Sequence, residues 1–153
     1  MRILLIATLL FCSGCATLQP PPPDQSRSAG EVRAAADGFL LAFDNLDWET
    51  FRASWASSAS AFFPFSDIPE RITGKAEVER QFLALFEEAR ANMSGPPYFR
   101  FEPQKLQVQT FGDSALVTFM LTKERRISRR TLVFVKEGHE WKLVHLHASN
   151  IEQ

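Results

Sequence analysis

The feature that most restricts this chain is a change of hydrophobic period at Ser94-Gly95-Pro96-Pro97. Before that breaker apolar residues recur every three or four positions, and after it they alternate. From Glu31 to Leu46, the residues Val32, Ala35, Ala36, Phe39, Leu40 and Phe43 make one stripe, with Arg33, Asp37 and Asp44 off it. That spacing predicts an amphipathic helix. Asp47 offers an N-cap to a short second helix with Trp48, Phe51 and Trp55 on one face. Thr73-Gly74 opens a third, in which Val78, Phe82, Leu85, Phe86 and Ala89 repeat at helical spacing. Between them, Ala61-Phe62-Phe63-Pro64-Phe65 is interrupted by Pro64 and reads at best as an edge strand.

Beyond the breaker, Leu106-x-Val108, Ala115 to Thr122, Arg129 to Lys136 and Trp141 to Ser149 read as strands. Turns at Phe111-Gly112-Asp113-Ser114 and Glu137-Gly138-His139-Glu140 join them as hairpins. Helices grouped ahead of antiparallel strands predict an α+β domain in which three helices pack on a curved, mostly antiparallel sheet. The 153 residues suffice for one domain, and 45% apolar residues with 14 Phe suffice for its core. A formal charge of -1 gives no field that would gather a polyanion, so no nucleic acid is expected as a partner.

The N-terminus reads as an address. Met1-Arg2 precedes a nine-residue apolar run, Ile3 to Phe11, too short to span a bilayer but suited to a signal peptide. Cys12-Ser13-Gly14-Cys15 follows and resembles the bacterial lipobox, which implies a lipidated Cys15 as the mature N-terminus. Ordinary secretion, with a cleavage site at Gly14-Cys15-Ala16, is the alternative. The expected organisation is a signal peptide over 1–14, a lipid-anchored, proline-rich tether over 15–30, and a domain over 31–153. The implied location is the cell envelope, on the periplasmic side of the outer membrane in a Gram-negative cell.

Three strings carry a resemblance: Gly74-Lys75-Ala76-Glu77-Val78 with Phe82, the Gly112-Asp113-Ser114-Ala115-Leu116-Val117 turn, and Glu140 to Ser149. Over about Glu31 to Asn150 they resemble the SnoaL-like branch of the nuclear transport factor 2-like superfamily, which implies a cone-shaped fold. The closing strand is also similar to that of the calcium/calmodulin-dependent kinase II association domain. That resemblance brings the domain's ligand-binding arginines onto Leu121, Leu132 and Ala148, all apolar here. By alternation Val117, Phe119, Phe134, Val144 and Leu146 share that inward face, so the expected pocket is greasy, with no cation for an acid.

Trp141, Leu143, His145, His147 and Ser149 fall on the opposite face of the last strand. Two histidines at i and i+2 stand about 7 Å apart and can relay a proton or share a metal. No third and fourth ligand accompanies them, so neither a metal nor another cofactor is expected. Asp44, Asp47 and Asp67 are the acidic candidates for catalysis, each with a plainer role as cap or turn former. Tyr98, the single tyrosine, stands beside Pro97 at a strand entrance. Arg125, Arg126, Arg129 and Arg130 surround one hairpin tip, where they either solvate it or touch an anionic surface.

These readings lead to a non-catalytic binding module for a small apolar ligand or an envelope protein. The alternative is a cofactor-independent isomerase, dehydratase or hydrolase that uses His145, His147 or a lid aspartate. The face carrying Thr118, Met120, Val133, Val135, Trp141 and Leu143 is too apolar for water, which predicts a homodimer through the convex sheet. A monomeric mass at micromolar concentration would refute the dimer. Cys15→Ala should release the chain from membrane fractions, and unchanged fractionation would refute lipidation.

Overall fold

The computed structural model describes residues 23–123 and 125–152. The expected signal peptide, Cys12, Cys15, the start of the tether and Glu124 lie outside the described residues. Among the described residues three helices, α1 (Pro23–Asn45), α2 (Trp48–Ala53) and α3 (Lys75–Asn92), pack on one six-stranded sheet. Its strands are β1 (Trp55–Phe62), β2 (Ile72–Thr73), β3 (Gln104–Phe111), β4 (Ser114–Lys123), β5 (Arg126–Glu137) and β6 (Glu140–Glu152), in the order β2-β1-β6-β5-β4-β3. Every neighbouring pair is antiparallel except β1 and β6.

The stripe anticipated on α1 is the face that meets the sheet: Val32, Ala36, Phe39 and Leu40 are buried and Phe43 packs against them. The helix begins at Pro23 rather than Glu31, so 23–30, expected within an extended tether, are helical. Proline suits that first position because its missing N–H would be unpaired there anyway. At the other end Leu46 adopts φ 54, while the Leu46 N–H bonds Phe43 O at 3.1 Å and the Asp47 N–H bonds Ala42 O at 2.8 Å. This is a Schellman closure with leucine where glycine is usual. The compensation is burial, since Leu46 is fully enclosed in the core. Asp47 then caps α2 by accepting from Thr50 N at 3.2 Å, as its position suggests, and hydrogen bonds from the Thr50 side chain and then its backbone lower the Asp47 pKa.

Trp55 leaves α2 and starts β1, which is not an edge strand but lies between β2 and β6. Its middle reads as Ser57-Ser58, which hides it from a search for apolar alternation. β6 holds the decisive irregularity. Val133 pairs with His145 and Phe134 with Leu143, so Val144 is an extra residue without a partner across the ladder. Such a bulge reverses the alternation on either side of it. Trp141 and Leu143, expected on the outer face, are therefore buried with Leu146 and Ala148.

Phe51 lies at the centre of the core. Its ring meets Phe82 at 4.8 Å, Phe86 at 5.0 Å, Phe39 at 5.1 Å and Phe43 at 5.6 Å, joining all three helices. Edge-to-face and offset pairs of this kind add to the burial of the rings themselves. Phe51→Ala would leave a void that four rings cannot collapse into. It should cost about 3–5 kcal/mol of unfolding free energy, measured by urea titration.

Candidate functional site

The sheet curls around an apolar cavity of about 90 Å³. α1 contributes Phe39, Leu40 and Phe43; α3 contributes Phe82 and Leu85; the loop after β1 contributes Phe63, Pro64 and Phe65. Of the residues expected to line it, Phe119, Leu121, Leu132, Leu146 and Ala148 do so. Val117 and Phe134 point inward too, but are packed into the core and do not line the cavity. Val144, expected on the inward face, is not there: the bulge takes it out of the inward series, and it lines no part of the cone.

Arg130 also lines the cavity, against the expectation of a pocket without a cation. It pairs across the ladder with Phe119 and Ala148, both inward, and it shares parity on β5 with Leu132 and Phe134. That alternation was available in the sequence, where the cluster of arginines suggested a hairpin tip instead. Arg130 Nη1 donates to Arg129 O at 3.0 Å and to Ser149 O at 3.3 Å. Among the described residues no carboxylate forms an ion pair with it, whereas Arg126 beside it is neutralised by Glu152 at 2.9 Å. Burial lowers the guanidinium to about 10, which leaves it a cation at neutral pH.

Above Arg130 the cone opens into a groove of about 600 Å³, bounded by the 93–102 segment on one side and by Gln104, Leu121, Ser128 and Arg126 on the other. Phe101, Leu121 and Arg130 belong to both the groove and the cavity, so they mark the boundary between them. Asp44 sets this mouth. Its carboxylate accepts from Phe101 N at 3.1 and 3.3 Å, and its backbone carbonyl accepts from Tyr98 N at 2.7 Å and Phe99 N at 3.2 Å. Partial burial raises the Asp44 pKa, partly offset by the bond from Phe101. Asp44 thus fixes the backbone over the cone, and its carboxylate does not line the cavity. Asp67 lies in a separate groove against α3.

The two histidines are on the convex side. Ser60 Oγ and His145 Nδ1 are 2.8 Å apart, and Phe62 sits against both imidazoles, at 5.9 Å from His145 and 5.7 Å from His147. Burial, then His147, then Arg71 hold the His145 pKa below its ordinary value. Neither ring reaches the cone. Among the described residues no three His, Cys, Asp or Glu side chains converge on a point where a metal could bind. No described helix is long and apolar enough to cross a membrane.

The cavity therefore offers apolar surface and one cation. Among the described residues Arg130 is the single ionisable one in its lining. A guanidinium held charged can bind an anion or stabilise negative charge, but it cannot take a proton from a substrate.

Comparison with known proteins gives one family: the model described as SnoaL-like domain matches residues 32–152. No curated protein matches the chain. Among solved structures, a candidate dehydratase of the NTF2-like family from Streptomyces avermitilis is similar at 24% identity and TM-score 0.70, covering 84% of this chain and 99% of that one. A candidate ketosteroid isomerase from Parabacteroides distasonis is similar at 18% identity and TM-score 0.60, covering 78% and 85%. The CaMKII hub of S. rosetta is similar at 25% identity and TM-score 0.62, covering 87% and 100%.

Proposed function

The chain belongs to the SnoaL-like domain family, and from that premise we propose that it is a non-catalytic binding module whose cone takes a small amphiphile, apolar tail inward and anionic head on Arg130. The family alone does not choose between enzyme and binder, because one fold hosts unrelated activities. The observation that carries the reading is the pairing of an apolar cavity with a largely buried arginine that has no acidic partner among the described residues. Desolvating a cation costs several kcal/mol unless something compensates. A carboxylate from a ligand would supply charge-assisted, bidentate bonds there.

An isomerase or dehydratase, as two of the structural neighbours are named, needs a group that moves a proton. The candidates in the sequence do not offer one to the cone: Asp44 binds the Phe101 N–H, Asp67 lines another groove, and His145 and His147 face outward. This favours binding over chemistry.

The envelope setting is part of the proposal. Cys15 would carry the lipid that holds the domain at the membrane surface. A second copy would cover the convex face, where Thr118, Met120, Val133 and Val135 are only partly buried and Phe111 is 64% exposed. The similarity to a CaMKII hub is in keeping with assembly of copies.

Calorimetry with pentanoate and pentanol tests the site. Pentanoate should bind, pentanol should bind more weakly, and Arg130→Met should weaken pentanoate about tenfold or more while leaving pentanol unchanged. Equal binding of acid and alcohol, unaffected by Arg130→Met, would overturn the role of the arginine. Ala148→Trp, which fills the cone, should abolish both.

A further inference from the structure

The cone is bounded by two surface grooves that adjoin at Met93 and Phe99. One is the mouth at Arg130 already described. The other, about 510 Å³, runs along α3 and is floored by Ile68, Ala84, Leu85, Met93 and Phe99. Phe65 and Leu85 line both this groove and the cone, so these two side chains are the wall between them. Phe65 is 43% exposed and Met93 is 41% exposed, so the groove offers apolar side chains to an apolar chain laid along it.

The wall is lightly held on one side. Phe65 lies in the loop between β1 and β2, outside the ladders, next to Pro64. Its ring neighbour is Phe63 at 6.0 Å, whereas Phe63 is itself seated on Phe82 at 4.8 Å. A partly exposed side chain on a loop outside the ladders moves at little cost. Scaled from a cavity of about 150 Å³ that accepts benzene, the cone holds roughly four carbon atoms. A longer chain anchored at Arg130 must leave the cone, and the wall at Phe65 and Leu85 gives onto apolar surface.

We propose that this wall is a door, and that the ligand is a long single-chain anionic amphiphile of the fatty-acyl carboxylate class. Its head sits on Arg130, its first carbons fill the cone, and the rest of its chain lies in the α3 groove. The inference rests on the binding reading above and adds to it the length of the ligand and the path it takes. The groove has the composition for that role, with an apolar floor and Asp67, Gln81, Glu88 and Asn92 along it.

The test is calorimetry on the full chain with pentanoate, nonanoate and tridecanoate below their micellar concentrations. Affinity should rise from pentanoate to nonanoate by up to about fourfold per methylene, and rise again to tridecanoate. Ala84→Asp places a charge on the exposed groove floor, where folding is not at stake. It should cancel most of the gain of the two longer acids and leave pentanoate unchanged. Affinity that levels off at pentanoate would overturn the door, as would a gain with chain length that Ala84→Asp does not touch, since the tail would then leave through the mouth. Both results leave the cone and Arg130 as a binding site. Failure of pentanoate itself to bind would instead remove the underlying reading.

Discussion

The contents of the cone depend on a single unpaired residue in β6. With Val144 set outside the ladder, Trp141 and Leu143 before it and Leu146 and Ala148 after it all face the helices. Regular alternation would have sent one of those pairs to the convex side, because each one-residue shift turns every later side chain over. The bulge therefore lets a thirteen-residue strand cover the core along its length while it bends around it. It also separates the two faces of the histidine segment: His145 and His147 are turned out onto Ser60 and Phe62, and the residues between and beyond them are turned in.

On that frame the aromatic residues close one end of the cone and leave the other open. The rings of Phe39, Phe43, Phe51, Phe82 and Phe86 interlock where the helices converge on the sheet. Toward the mouth the lining continues through Phe119, Leu121 and Leu132 but does not meet in the middle, leaving the cavity. A filled core and a ligand cavity, which composition alone presents as alternatives, are here two ends of one interior. The mouth is shaped by polar groups instead. Asp44 gives three backbone N–H groups of the 98–101 segment their acceptors, and Arg130 enters from the sheet. Polar atoms at such a boundary hold the backbone in one position, which apolar contacts, having no direction, do less well.

Much of this was legible. The switch of period at Ser94-Gly95-Pro96-Pro97 separated helices from the long strands, and the stripes on α1 and α3 named the buried faces. Asp47 was recognisable as a cap because capping is local, involving residues three apart. Arg130 was legible in principle, since its parity with Leu132 and Phe134 fixed its direction once the strand was placed. Four arginines in six positions look instead like a solvated turn. Asp44 offered less: its role depends on Phe101, 57 residues away, and no spacing rule connects them.

The sequence by itself determined the class of fold, its three helices and four long C-terminal strands, and the apolar character of the cone, because helix and strand periods, caps and turns act over a few residues. Tertiary structure decided what those periods could not. β1 pairs parallel to β6 across most of the chain, Val144 drops out of register, and Asp44 and Arg130 acquire their partners at the mouth. Each of these is a contact between segments far apart in the chain. Its free energy depends on how the whole sheet bends around the phenylalanine core, and no local run of residues carries that information.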